Sequence, residues 1–88
     1  MVAPETVYRI QAGNPREVIR DTATDNLGKL SERLARYQGR DGITEILVLR
    51  HDAKVTEAGA LKLGRPIPML AIHRENEASP WTDIPVGR

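Results

Sequence analysis

The run "ITEILVL", Ile43 to Leu49, does most to limit the folds open to this chain, because apolar side chains occupy nearly every position. A strand with one wet face alternates polar and apolar residues. One that does not alternate must lie centrally, with both faces covered or one face in an interface. A sheet built around this segment is the starting expectation. The 88 residues allow one domain, and a chain this short buries only about 60 to 65 per cent of the surface it exposes when unfolded. Leu, Ile and Val make up roughly a quarter of it, enough for a core to form. Phenylalanine is absent and the aromatics are Tyr8, Tyr37 and Trp81, so that core is thin. Domains of this size often add disulfides, a structural metal or a second copy of themselves. With no cysteine in the chain, the first is excluded, and the commonest structural-zinc sites with it. Self-association as a homo-oligomer is the remaining expectation.

Thirteen basic residues against 12 acidic give a net charge of +1, too little for general attraction to nucleic acid or anionic lipid. No apolar run approaches the roughly 18 residues of a membrane span. Met1 to Ala12 has neither the basic start nor the apolar middle of a signal peptide. These features, with the absence of cysteine, read as a cytoplasmic protein.

Along the chain, "ETVYRIQ" alternates Val7 and Arg9 against Tyr8 and Ile10 and is closed by Gly13, a strand pattern. In "NPREV", Asn14 reads as an N-cap, Pro15 as the first helical residue and Glu17 as the carboxylate at N3. Ile19, Ala23, Leu27, Leu30, Leu34 and Tyr37 then recur at steps of three and four as one apolar stripe, with Gly39 as C-cap. A helix from Pro15 to about Gln38 is predicted. Thr22, Thr24, Asn26 and Gly28 have modest or poor helix propensity, which places a kink or break near Thr24. "RPIPMLAIHR" is a further extended segment, whose first half is an edge or a bulge because Pro66 and Pro68 lack N–H donors. From Glu75 onward the chain is polar and turn-rich, a tail unless Trp81 pins it down. The expected fold is α+β: a small three-stranded mixed sheet in β-α-β-β order, packed on one long kinked helix. Residues 1–74 form the domain and 75–88 an extended C-terminal tail. A right-handed crossover would set Val7–Ile10 parallel to Ile43–Leu49.

The segment between Asp52 and Arg65 decides whether a catalytic site is assembled. As a helix over Ala53 to Leu63, it would let the flanking strands run parallel and bring His51, Asp52 and His73 to one sheet edge. There histidine could act as acid or base on an anionic substrate, in the manner of a small hydrolase or nuclease. As a hairpin turning at Glu57-Ala58-Gly59, it would place His51 opposite about residue 65 and His73 opposite about residue 43, some 25 Å apart. Leu61, Leu63, Ile67 and Met69 would then continue one face. The hairpin is favoured, since glycine in mid-helix is unfavourable by about 1 kcal/mol and Val55 gives no capping box. No metal-ligand spacing, nucleophile elbow or phosphate-binding loop is present, and no cofactor is expected.

On the predicted helix, Lys29, Arg33, Arg36 and Arg40 share one flank of the apolar stripe, and Glu17, Asp21, Asp25 and Glu32 lie on the other side. Ordinary i,i+4 pairs such as Asp25–Lys29 and Glu32–Arg36 account for this pattern, and a partner-docking stripe is the sharper alternative. Nucleic-acid contact ranks lower, for want of interleaved aromatics. Trp81 lies in "SPWTDIP", where it either folds back over its own core or anchors in a partner's pocket. Those seven residues resemble a short segment of soluble inorganic pyrophosphatases, whose cluster of metal-binding aspartates has no counterpart here. The functional expectation is a small non-enzymatic interaction domain of adaptor, inhibitor or regulator type, self-associating. Its partner is a protein, and its surface is the exposed side of the sheet, the Lys29–Arg40 stripe or the Trp81 segment.

Overall fold

In the computed structural model, which describes residues 6–85, Asn14 ends a strand at the point where a helix is predicted to start. Its side-chain oxygen accepts from the amides of Arg16 at 2.8 Å and Glu17 at 3.1 Å. This is the reach by which asparagine caps a helix, used here to close a turn with Pro15 at its second position. Beyond the turn the chain is extended. β1 (Thr6–Asn14) and β2 (Glu17–Arg20) pair antiparallel from Asn14–Glu17 to Gln11–Arg20. Val18 and Ile19 are β-branched and suit a strand. Gly13 lets the two strands close, since a methyl there would run into the Glu17 carbonyl oxygen.

The predicted helix is therefore corrected to its second half. α1 spans Leu27–Gln38, with Asn26 as N-cap accepting from the Lys29 amide at 3.0 Å, and it ends at Gly39 as expected. The kink or break predicted near Thr24 is a break, and Thr22 to Asn26 is the connector before the helix. It runs beside β1, where Tyr8 and Thr24 exchange backbone hydrogen bonds of 2.7 and 2.9 Å. Because a hairpin precedes the helix, the crossover joins β2 to β3 (Glu45–Val55) and not β1 to β3. That extra reversal sets β1 antiparallel to β3, from Thr6–Asp52 to Gly13–Glu45, overturning the parallel expectation.

β3 is central, as its composition requires, and returns through a hairpin. Gly59 adopts φ +84° and closes the turn with its amide on the Thr56 carbonyl at 2.9 Å. β4 (Leu61–Leu63) and β5 (Ile67–His73) are two parts of one return path along β3, both antiparallel to it. The register slips twice. Ala53 faces Leu63 and Arg50 faces Ile67, which inserts one residue around Gly64–Pro66; Leu49 faces Pro68 and Val48 faces Leu70, which leaves Met69 as a bulge. A one-residue slip exchanges the faces of a strand. Ile67 thus lies on the opposite face from Leu61 and Leu63, so the four apolar residues do not line one side as predicted. The same slips bring Leu70 and Ile72 under the helix.

β6 (Thr82–Ile84) pairs with Ala71–His73, so the segment expected as a tail completes the sheet. Among the described residues the order is β2-β1-β3-β5-β6, with β4 on β3, six antiparallel strands in place of a three-stranded mixed sheet. Trp81 holds this end in place: its indole N–H donates to the Gln38 carbonyl at 3.1 Å, and Arg74 lies 4.5 Å above its ring. The Arg74 guanidinium donates to the carbonyls of Ile43, Arg40 and Glu77 at 2.9, 3.0 and 3.3 Å. Leu30 and Tyr37 of α1 pack with Ile10, Ala12, Ile43, Ile46, Val48 and Ile72. The three aromatics all belong to this core or its margin. Among the described residues, no helix is long and apolar enough to cross a membrane. The first five residues, part of the segment read for a signal peptide, and the last three of the expected tail lie outside the described residues.

Candidate functional site

Side chains alternate across a strand, and the registers sort them into two faces. Ile46 and Val48, with Ile10, Ala12 and Ile72, meet the helix. The opposite face carries no helix among the described residues, and its side chains fall into rows. Across the middle run Arg20, Gln11, Leu47, Ala71 and Ile84, one from each strand but β4. On one side of that row lie Val18, Gly13, Glu45, His73 and Thr82; on the other, Arg9, Leu49 and Pro68. Val18, Leu47, Ala71 and Ile84 line a shallow depression of about 270 Å³. Val18 and Ile84 are 50% and 40% exposed. Towards the hairpin this face is closed within the chain, with Leu49, His51 and Val7 buried, and apolar surface reappears only at its end, where Val55 and Leu61 face one another and both are exposed. Such apolar surface on a sheet is what a docking partner removes from water.

The histidines do not share a site. His73 pairs with Glu45, and His51 lies six residues further along β3, a separation of about 20 Å at 3.3 Å per residue. That is two residues closer in register than the expected partner near residue 43, because of the two slips. Asp52 points to the face opposite His51 and is exposed. His51 is 5% exposed, with Nδ1 2.9 Å from the Gly64 carbonyl. A carbonyl only accepts, so Nδ1 carries the proton. Nε2 is buried without a hydrogen-bond partner. Its place is under the root of the hairpin, not in a cleft with a second catalytic group. Among the described residues, no three His, Asp or Glu side chains are grouped to hold a metal.

The basic stripe is broken up by the shorter helix. Lys29, Arg33 and Arg36 lie on α1, whereas Arg40 follows its C-cap. Glu17, Asp21 and Asp25 precede the helix, so Glu32 alone of the acidic row is helical. Arg33 donates to the Thr22 carbonyl at 2.9 Å and ties the connector to the helix. Beside it the Tyr37 hydroxyl donates to Asp21 at 3.0 Å. Burial acts to raise the Asp21 pKa, but the Thr22 amide, the Tyr37 hydroxyl and the Arg33 charge outweigh it and hold the carboxyl below its ordinary range. Burial, reinforced by Asp21, pushes the Tyr37 hydroxyl above its ordinary range.

A depressed carboxyl contributes stability that is present above its unfolded pKa and lost as pH falls through the folded one. A raised tyrosine contributes stability present below its unfolded pKa and lost as pH rises through the folded one. Tyr37→Phe should thus lower stability by about 1 kcal/mol near neutrality. The gap to wild type should narrow below about pH 4 and again above about pH 10. Urea titrations across that range check it; a gap independent of pH would mean that the hydroxyl and carboxylate are not coupled.

Sequence reasoning points to the exposed side of the sheet without naming its residues. Val18 falls within the predicted helix and Ile84 within the predicted tail, although Val18 and Arg20 alternate with Ile19 as a strand would. No known family model matches the chain, and no curated protein or solved structure matches it.

Proposed function

We propose that this protein is a small non-enzymatic protein–protein interaction domain, of adaptor, inhibitor or regulator type, acting in the cytoplasm through the helix-free face of its sheet. The observation that carries this reading is the apolar floor of Val18, Leu47, Ala71 and Ile84 on a face that α1 does not reach. A chain with so few aromatics has little apolar surface to spare, and leaving it on one flat face fits a surface completed by association. The separation of His51, Asp52 and His73 supports binding over catalysis, because joint acid–base action on one group needs hydrogen-bond reach. The other two candidate surfaces are partly engaged within the chain: Arg33 holds the connector, and Trp81 is enclosed by Arg74 and the end of α1.

A photo-crosslinking side chain at Ala71 tests the choice of face, with Ala35 on the exposed side of α1 as control. Adducts should form from position 71 and at least tenfold less from position 35. Equal yields from the two positions, or none from 71, would remove the helix-free face from consideration.

A further inference from the structure

Resting on that reading, we infer that the occupant of the helix-free face is a second copy of this chain, bound face to face about a two-fold axis that crosses the strands at Leu47. An isologous contact sets a patch against itself, and the middle row is chemically suited to that. Leu47, Ala71 and Ile84 meet apolar counterparts, and Gln11, carrying both donors and an acceptor, can bond its own copy.

The charges select the axis. Glu45 lies in the row on one side of Leu47 and Arg9 in the row on the other. A two-fold axis across the strands exchanges those rows and brings Glu45 of each copy towards Arg9 of its partner, twice per dimer. An axis along β3 would instead set Glu45 against Glu45, which is repulsive. Arg20 is in the middle row, but on the edge strand. There the crossing of about 30° between packed sheets moves its two copies apart, and it moves those of Ile84 on the other edge strand equally, so that Ile84 packs beside its own copy and not directly on it. The result is a four-layer α-β-β-α particle with sheets about 10 Å apart. It also covers Leu47 on the second face of β3, next to Leu49, which is already buried within the chain.

Sedimentation of the full chain between about 1 µM and about 1 mM, the range in which weak to moderate dimers dissociate, tests this directly. Wild type should reach twice the mass of the chain, and Leu47→Glu should be monomeric throughout. Glu45→Arg and Arg9→Glu should each weaken association at least tenfold, and an equimolar mixture of the two should recover the wild-type affinity, because both contacts are then opposite in sign. Both charge variants lie outside the core and serve if Leu47→Glu fails to fold. A dimer indifferent to the charge changes, or a mixture without recovery, would overturn the proposed geometry. A chain monomeric up to about 1 mM would overturn the second copy as occupant. In that case, position-specific adducts of foreign mass from residue 71 would leave the docking face standing, and their absence would remove both.

Discussion

Gly13→Ala should destabilise the protein by about 3 kcal/mol, at the upper end for adding one methyl to a packed site. Thermal unfolding should shift down by roughly 12 to 24 °C for a domain of this size. Gly13 is a crowded glycine: it faces Val18 on one side and Glu45 on the other. A Cβ there would meet the Glu17 carbonyl oxygen and lie 2.9 Å from the Val18 Cα. Both are backbone atoms, so relief requires the β1–β2 hairpin to open. The Gly13 carbonyl also accepts from the Thr44 amide at 2.8 Å at the entry to β3, and that contact would be disturbed as well. Gly42 is the instructive control. It adopts φ +83° with nothing near its missing Cβ, so alanine there meets only the left-handed backbone penalty of about 1 to 2 kcal/mol. Urea denaturation of both variants should rank Gly13→Ala as the more damaging. A loss below about 1 kcal/mol would mean that the two strands are not in such close approach.

The same hairpin explains why residues 15–20 read as the start of a helix in the sequence and fold as a turn and a strand. Asn14 and Pro15 have the right chemistry for a helix start and for a turn, because both use an asparagine oxygen on amides two and three residues ahead. Ile19 and Ala23 happen to fall in phase with the genuine stripe of Leu30, Leu34 and Tyr37, so the periodicity extends the helix backwards over a strand. The decisive information is the pairing of β1 with β3, a tertiary contact that no local pattern reveals, together with the close fit of Gly13 against Glu17 across the turn. β3 and its hairpin are legible because a run without alternation and a glycine suited to positive φ act locally. The slip at Met69 is not, since Pro66 and Pro68 reveal missing donors but not how many residues bulge. Trp81 is legible as a lone indole in need of burial. Arg74 is not, because the three carbonyls it joins come from segments brought together only by folding. Of the candidate face, the sequence carries the composition of β3. The neighbours Val18, Ala71 and Ile84 depend on registers set elsewhere.

Adjacent residues of β3 should respond to truncation in opposite ways, and the contrast tests fold and face together. Ile46 is 2% exposed and is, with Ile10, one of the largest fully buried side chains. Ile46→Ala should lower stability by about 4 kcal/mol through lost transfer energy and the cavity left behind. A domain of this length has a total of roughly 4 to 13 kcal/mol, so a sizeable fraction of that variant could be unfolded at 37 °C. Leu47, one residue on, faces away from the helix. Leu47 is half-buried, so in dilute, dissociated protein Leu47→Ala should lower stability by no more than about 2 kcal/mol, half the loss at Ile46. Its effect should emerge as concentration rises, because association stabilises only the folded chain and does so by mass action. Melting curves at two concentrations therefore separate the two substitutions: Ile46→Ala should be low at both, and Leu47→Ala should fail to gain the increment that wild type gains. If Leu47→Ala were as damaging as Ile46→Ala in dilute protein, the face would already be covered within one chain, and the case for a docking surface would end there.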